Sequence, residues 1–181
     1  HMADKEGLEA CIRAKEEGAP VYVETCPQYL EFTCDVYKRE DGRNFVCSPP
    51  MKGQESLDAL WEAIKDGFID TIATDHCPFQ SYEKDWGKDD FTKIPNGCAG
   101  VENMYPYMLD AANSGKLTFE KVVELCFTNP AKIFGCTDKG SLSIGKDADI
   151  VIYDKDKDFT ISVSNMHSDY DHTMWDGKDN L

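Results

Sequence analysis

The sequence predicts an α/β fold with a smaller β-only lobe appended at its end. Two observations predict it. From residue 1 to 144, short apolar runs alternate with segments of helical periodicity, the grammar of strands crossing to helices and back. From residue 145 to 181 the helical period is lost, and two β-branched runs, "ADIVIYD" (148–154) and "FTISVS" (159–164), flank the charged turn "KDKD".

Each element has a local reason. Residues 3–17 read as a helix: Leu8, Cys11, Ile12 and Lys15 share one face, and Gly18 followed by Pro20 ends it. "PVYVET" (20–25) reads as a buried strand, "CPQYL" as a turn around Pro27, residues 33–45 as an excursion loop, and "NFVCSPP" as an extended piece stopped by two prolines. Ser56 reads as the N-cap of a helix over 57–66. Leu57, Leu60, Trp61 and Ile64 fall there at i, i+3, i+4 and i+7, and Gly67 closes it. "FIDTIAT" (68–74) is the next strand. Residues 80–97 have no period and read as a long loop, a type that is often functional. Helices follow over 101–113, from a Thr118 cap to 127, and from "NPAKIFG" with proline in its first turn.

Composition narrows the function. Asp and Glu number 34 against 19 Lys and Arg, a formal net charge of −15. Such a surface repels phosphate backbones and anionic lipid, which argues against nucleic acid and membrane as partners. No apolar run reaches the roughly 18 residues that cross a bilayer, and no signal peptide opens the chain. The eight cysteines form no CxxC pair and lie within apolar patterns, as reduced thiols of a cytoplasmic protein do.

In parallel α/β sheets, chemistry gathers at the carboxyl ends of strands. Three stretches qualify: Glu24–Gln28, Cys47–Pro50 and Thr74–Cys77. Asp75 follows its strand directly, where a carboxylate can hold a metal and move a proton, or can simply cap a turn. His76 and Cys77 read as structural. Neighbours in extended chain point to opposite sides, so Asp-His-Cys is no metal cage by itself. In "FTKIPNGCAGVENM" (91–104), Pro95 fixes the chain, while Gly97 and Gly100 permit close backbone approach. That segment can offer main-chain groups to an amide-like ligand, or be a plain loop into a helix; Ser48 in "CSPPMK" can do the same. His167 and His172 lie in an acidic tail read as surface or interface.

"ETCPQYL", "CSPPMK", "TIATDHCPF", "FTKIPNG" and "GSLSIGKDADIVIYD" occur in this order. Together they resemble dihydropyrimidinases and D-hydantoinases of the amidohydrolase superfamily, from residue 1 to about 172. The resemblance implies a (β/α)₈ TIM barrel with a small β-sandwich lobe. This chain would supply about the last two barrel strands with their helices (1–144) and strands of the lobe (145–181). It implies two divalent metal ions, usually zinc, held by a histidine pair from the first strand, a carboxylated lysine, two further histidines and one aspartate. Asp75 matches the aspartate, as metal ligand and catalytic acid–base group. Without gaps His1 falls on the metal-binding histidine that ends the sixth strand, although a cloning remnant would also place histidine there. Ser48 and Asn96 match the positions that bind the cyclic amide substrate. Met104 departs from the arginine of many relatives.

The reaction implied is ring opening of a dihydropyrimidine or hydantoin to an N-carbamoyl amino acid. A full barrel needs about 250 residues, so the first-strand histidines and the carboxylated lysine are expected outside this chain. The N-terminal barrel half, on the same or a separate chain, becomes a required partner. Alone, the chain is expected to be inactive, and the whole to be a homo-oligomer, a dimer or tetramer. Two alternatives remain open: a non-catalytic dihydropyrimidinase-like scaffold, and an allantoinase or dihydroorotase type. Asp75 and the enzyme-like "IPNG" speak against the first; "ETCPQYL" and "DHCPF" fit hydantoinases better than the second.

Overall fold

A computed structural model describes residues 1–178. At its centre, β1 (Glu24–Thr25) and β2 (Thr71–Ile72) pair in parallel, with Glu24 opposite Thr71 and Thr25 opposite Ile72. Parallel neighbours need a crossover with a helix, and α3 (Gln54–Lys65) lies between them in sequence. Bonds from Asp70 N to Val23 O (2.8 Å) and from Ala73 N to Thr25 O (3.0 Å) extend the pairing at both ends. The other side of β1 is lined by the first residues of the chain. Met2 N donates to Glu24 O at 2.6 Å, and Thr25 Oγ1 donates to Met2 O at 2.6 Å.

α1 (Lys5–Glu16) begins at Asp4, whose side chain accepts the Gly7 N–H at 2.7 Å. Leu8 is buried, with Cys11 and Ile12 packed beside it. Lys15 on the same face reaches the Asp70 carboxylate (2.5 Å) and the Phe68 carbonyl (2.9 Å); Asp70 also accepts the Val23 N–H at 2.6 Å. One carboxylate thus joins a helix to the approach of both strands.

α3 starts three residues earlier than predicted, with Gly53 at the N-cap. Ser56 does not cap it. It lies inside the first turn, is buried, and its hydroxyl accepts the Lys5 N–H at 3.2 Å. The heptad-like face is as predicted: Leu57, Leu60, Trp61 and Ile64 are all buried. "CPQYL" is not a turn but a short helix, α2 (Pro27–Glu31), because proline at the first helical position lacks only an N–H that needs no partner there. Its Leu30 carbonyl accepts both Trp61 Nε1 (2.9 Å) and Tyr107 Oη (3.1 Å).

The long segment 80–97 contains a capped helical turn, α4 (Ser81–Lys84), and short 3₁₀ turns. α5 (Met104–Asn113) follows. Thr118 does cap α6 (Phe119–Val123), accepting the Lys121 N–H. The helix then continues through a π-helical stretch, Glu124–Thr128, into α7 (Asn129–Ile133), so the two predicted helices are one interrupted rod.

Among the described residues, 148–154 and 159–164 form no strand. An apolar run becomes a strand only when a neighbour takes its backbone groups. Ile150, Val151 and Ile152 are instead exposed. Ile150 and Val151, with Phe119, Val123 and Leu142, border an apolar groove of about 1040 Å³ along α6 and α7. The acidic tail is not merely surface. Ile161, Met174 and Trp175 are buried, and Trp175 packs on Phe32 and Tyr107 with centroids 5.1 and 5.0 Å apart. Spaced apolar residues among many acids gave no period to read.

Asp171 fastens this tail to α4. Its carboxylate accepts the Ser81 backbone N–H at 2.8 Å and the Ser81 hydroxyl, and lies 3.0 Å from His172 Nδ1. Burial raises its pKa, but the Ser81 and His172 hydrogen bonds outweigh that and bring it from 3.8 to about 2. A depressed carboxylate stabilises the folded state above its ordinary pKa and loses that contribution as pH falls toward the folded value. The tail is therefore expected to loosen from α4 between pH 3.8 and about 2. An NMR titration of the Asp171 carboxyl carbon should show a midpoint near the lower value; a midpoint at the ordinary value would mean the clamp is absent.

Candidate active site

Three polar side chains meet beside β1 and β2: His1 at the start of the chain, Glu24 in β1 and Asp75 just beyond β2. Asp75 leaves β2 with a left-handed backbone, φ 47°, rare for a residue other than glycine but more accessible to aspartate and asparagine. Its Oδ2 lies 3.5 Å from His1 Nδ1, and His1 Nε2 lies 3.4 Å from Glu24 Oε1. All three side chains are partly exposed. Burial raises the Asp75 pKa, opposed by the nearby terminal amino group. His1 and Asp75, far apart in sequence, thus face each other; Glu24 was singled out only as part of its strand end.

Imidazole nitrogen and carboxylate oxygen are suitable donors for a divalent cation, but a catalytic zinc site takes three protein ligands. Among the described residues no group of three or more His, Cys, Asp or Glu is placed to hold one. The donor set fits in kind and is incomplete in number.

Ser48 and Asn96 meet as well. Ser48 Oγ donates to Asn96 Oδ1 at 3.0 Å. Both line a cavity of about 520 Å³, with Tyr37, Arg43, Phe91 and Ile94 among its walls. Their segments are tied by Gly97 N to Val46 O (3.0 Å). The 97–98 turn is then tied to the Asp75 segment. Cys77 N donates to Cys98 O at 3.0 Å, and His76 Nδ1 accepts the Gly100 and Val101 N–H groups at 3.1 and 3.2 Å. His76 is thus a loop anchor, as its structural reading implies. His167 is exposed and held by Glu102, while His172 sits in the Asp171 clamp.

Lys84, at the end of α4, escaped sequence reasoning, because a lysine among Asp, Gly and Lys reads as solvated. It is 0% exposed. Its Nζ donates to Pro95 O (2.7 Å), Gly97 O (2.8 Å) and Val46 O (2.9 Å). Burial lowers its pKa, opposed by the thiols of Cys98, Cys47 and Cys77.

The sequence pattern of the Amidohydrolase family matches residues 5–179. The chain belongs to the amidohydrolase family. This family is generally metal-dependent. The chain is 37% identical to a D-hydantoinase of Rhizobium radiobacter over 182 residues, covering 98% of this chain and 40% of that one. It is 39% identical to a D-phenylhydantoinase of Escherichia coli K12 over 180 residues, with 98% and 39% covered. Its fold superposes on the crystal structure of a dihydropyrimidinase from Brevibacillus agri with a TM-score of 0.96, at 36% identity, over 99% of this chain and 40% of that one. This amidohydrolase chain therefore spans about 40% of the length of these relatives. Among its described residues, no helix is long and apolar enough to cross a membrane.

Proposed function

We propose that this chain is the C-terminal share of a hydrolase that opens cyclic amides, dihydropyrimidines or hydantoins, to N-carbamoyl amino acids. The observation that carries the reading is the approach of His1 to Asp75 at the carboxyl ends of parallel strands. The names of its relatives agree with it.

In this reading β1 and β2 are about the last two strands of a (β/α)₈ barrel, residues 1–144 belong to that barrel, and 145–181 to an accessory β lobe. His1 and Asp75 hold divalent cations, zinc being the natural choice for nitrogen and carboxylate donors, together with ligands from outside this chain. When bound, such cations supply an acidified water and a polarised ring carbonyl. Asp75 accepts the proton of the attacking water and returns it to the departing ring nitrogen. Ser48 and Asn96 hold the ring amide through their segments, with the neighbouring cavity admitting the substituent. The apolar groove along α6 and α7, with Ile150 and Val151 on its rim, is the face that packs against the rest of the enzyme.

The test is a complete hydrolase, this chain joined to the remaining part of the R. radiobacter D-hydantoinase. It should open hydantoin or dihydrouracil, lose at least about 10³-fold in rate on removal of metal by a chelator, and recover with zinc or another divalent ion. Turnover that survives chelation, or a folded hybrid without turnover, would overturn the reading.

A further inference from the structure

A buried ammonium is costly unless each proton finds an acceptor, and a methionine of similar shape would fill the same space with less penalty. Lys84 meets that requirement with carbonyls rather than a carboxylate. The choice of carbonyls is specific. Val46 lies two residues before Ser48, and Pro95 and Gly97 flank Asn96. One side chain therefore grips both segments that carry the proposed amide-binding residues, whose own side chains stand 3.0 Å apart. The Pro95 carbonyl and the Asn96 N–H belong to the same peptide group. A cation on the oxygen end draws electron density from the nitrogen end and makes that N–H a stronger donor.

We propose that Lys84 is a positioning residue for recognition of the cyclic amide: it sets the separation of the Ser48 and Asn96 segments and polarises the Asn96 peptide group toward the ligand. This rests on the hydrolase reading above. Lys84 does not touch substrate; it acts through the two segments. The Phe79 ring, 5.4 Å from Nζ, and the tail clamp on Ser81 hold α4 so that the ammonium stays between them.

The test uses Lys84→Met and Lys84→Arg in two arms. In hydrogen exchange on the 181-residue chain, Lys84→Met should speed exchange about tenfold or more in peptides spanning 46–49 and 95–98. The β1, β2 and α3 amides should stay unchanged, and Lys84→Arg, which keeps charge and donors, should restore part of the protection. In the complete hydrolase, Lys84→Met should raise KM for hydantoin about tenfold, with kcat within about threefold and metal content unchanged. Unchanged exchange, or acceleration spread evenly over the chain, would overturn the clamp. A fall in kcat at constant KM would overturn the recognition role. If Lys84→Met does not fold, the Arg variant carries both readouts in smaller measure. If the hydrolase with Lys84 intact shows no turnover, the hydrolase reading and the recognition role fall together, while the exchange arm still decides whether the lysine clamps the loops.

Discussion

Replacing Asp75 with asparagine is expected to reduce ring opening by the complete hydrolase about 10³-fold or more while leaving the fold intact. Asparagine has nearly the same shape and shares with aspartate the ability to adopt a left-handed backbone, which φ 47° requires here. It keeps hydrogen-bonding capacity but cannot take a proton, and its amide oxygen is a weaker partner for a cation or for His1 at 3.5 Å. The measurements are kcat/KM on hydantoin and the urea midpoint of the same protein. The midpoint should move by no more than about 0.5 kcal/mol equivalent, the ordinary scale for a partly exposed site. Asp75→Ala is a weaker probe, since alanine in this backbone region costs about 1–2 kcal/mol by itself and mixes strain with chemistry. Rates within tenfold of the parent for Asp75→Asn would remove Asp75 from proton transfer.

The parallel pair was legible because both strands are apolar runs between good helix signals, and a crossover helix leaves no other common arrangement. Asp75 was legible because it stands where a buried strand stops. The meeting of His1 with Asp75 was legible only through the family resemblance, since nothing local at the chain start predicts that residues 1–2 lie beside β1. Three features were hidden for separate reasons. Ser56 looks like a cap by residue type, but its hydroxyl is taken by Lys5, a long-range partner that propensity does not see. The "CPQYL" helix is one turn long, below what periodicity resolves. Lys84 is buried by segments from positions 46 and 95–97, and a charged residue carries no sequence mark of such company.

The Asp171 clamp on Ser81 steadies the turn that carries Lys84, and Lys84 grips the Ser48 and Asn96 segments. His76 and Cys77 then tie residues 98–101 to the backbone that carries Asp75. Two site regions are thereby held together by side chains that bond to backbone groups, with the backbone bonds Cys77 N to Cys98 O and Gly97 N to Val46 O beside them. Met104 is buried at the start of α5 and belongs to none of these ties.

Gly97 lies against the segment that carries Asp75, and Gly97→Ala is expected to be strongly destabilising. Its φ is 150°, and a β-carbon there would lie 2.2 Å from the Cys77 carbonyl oxygen and 2.7 Å from Cys77 Cβ. Those atoms cannot withdraw cheaply, since Cys77 N–H is bonded to the Cys98 carbonyl and the Gly97 carbonyl accepts from Lys84. The expected cost is about 3–4 kcal/mol in urea unfolding, the range of forced backbone and overpacking strain. Gly67→Ala is the comparison: its φ is 80°, close to the left-handed region, and nothing lies within 4 Å of the added carbon. It should cost about 1–2 kcal/mol, the left-handed penalty alone. The excess loss at Gly97 combines its harsher backbone region with the contact between the Asn96 segment and the Asp75 segment, and equal losses would show that those segments do not touch in solution.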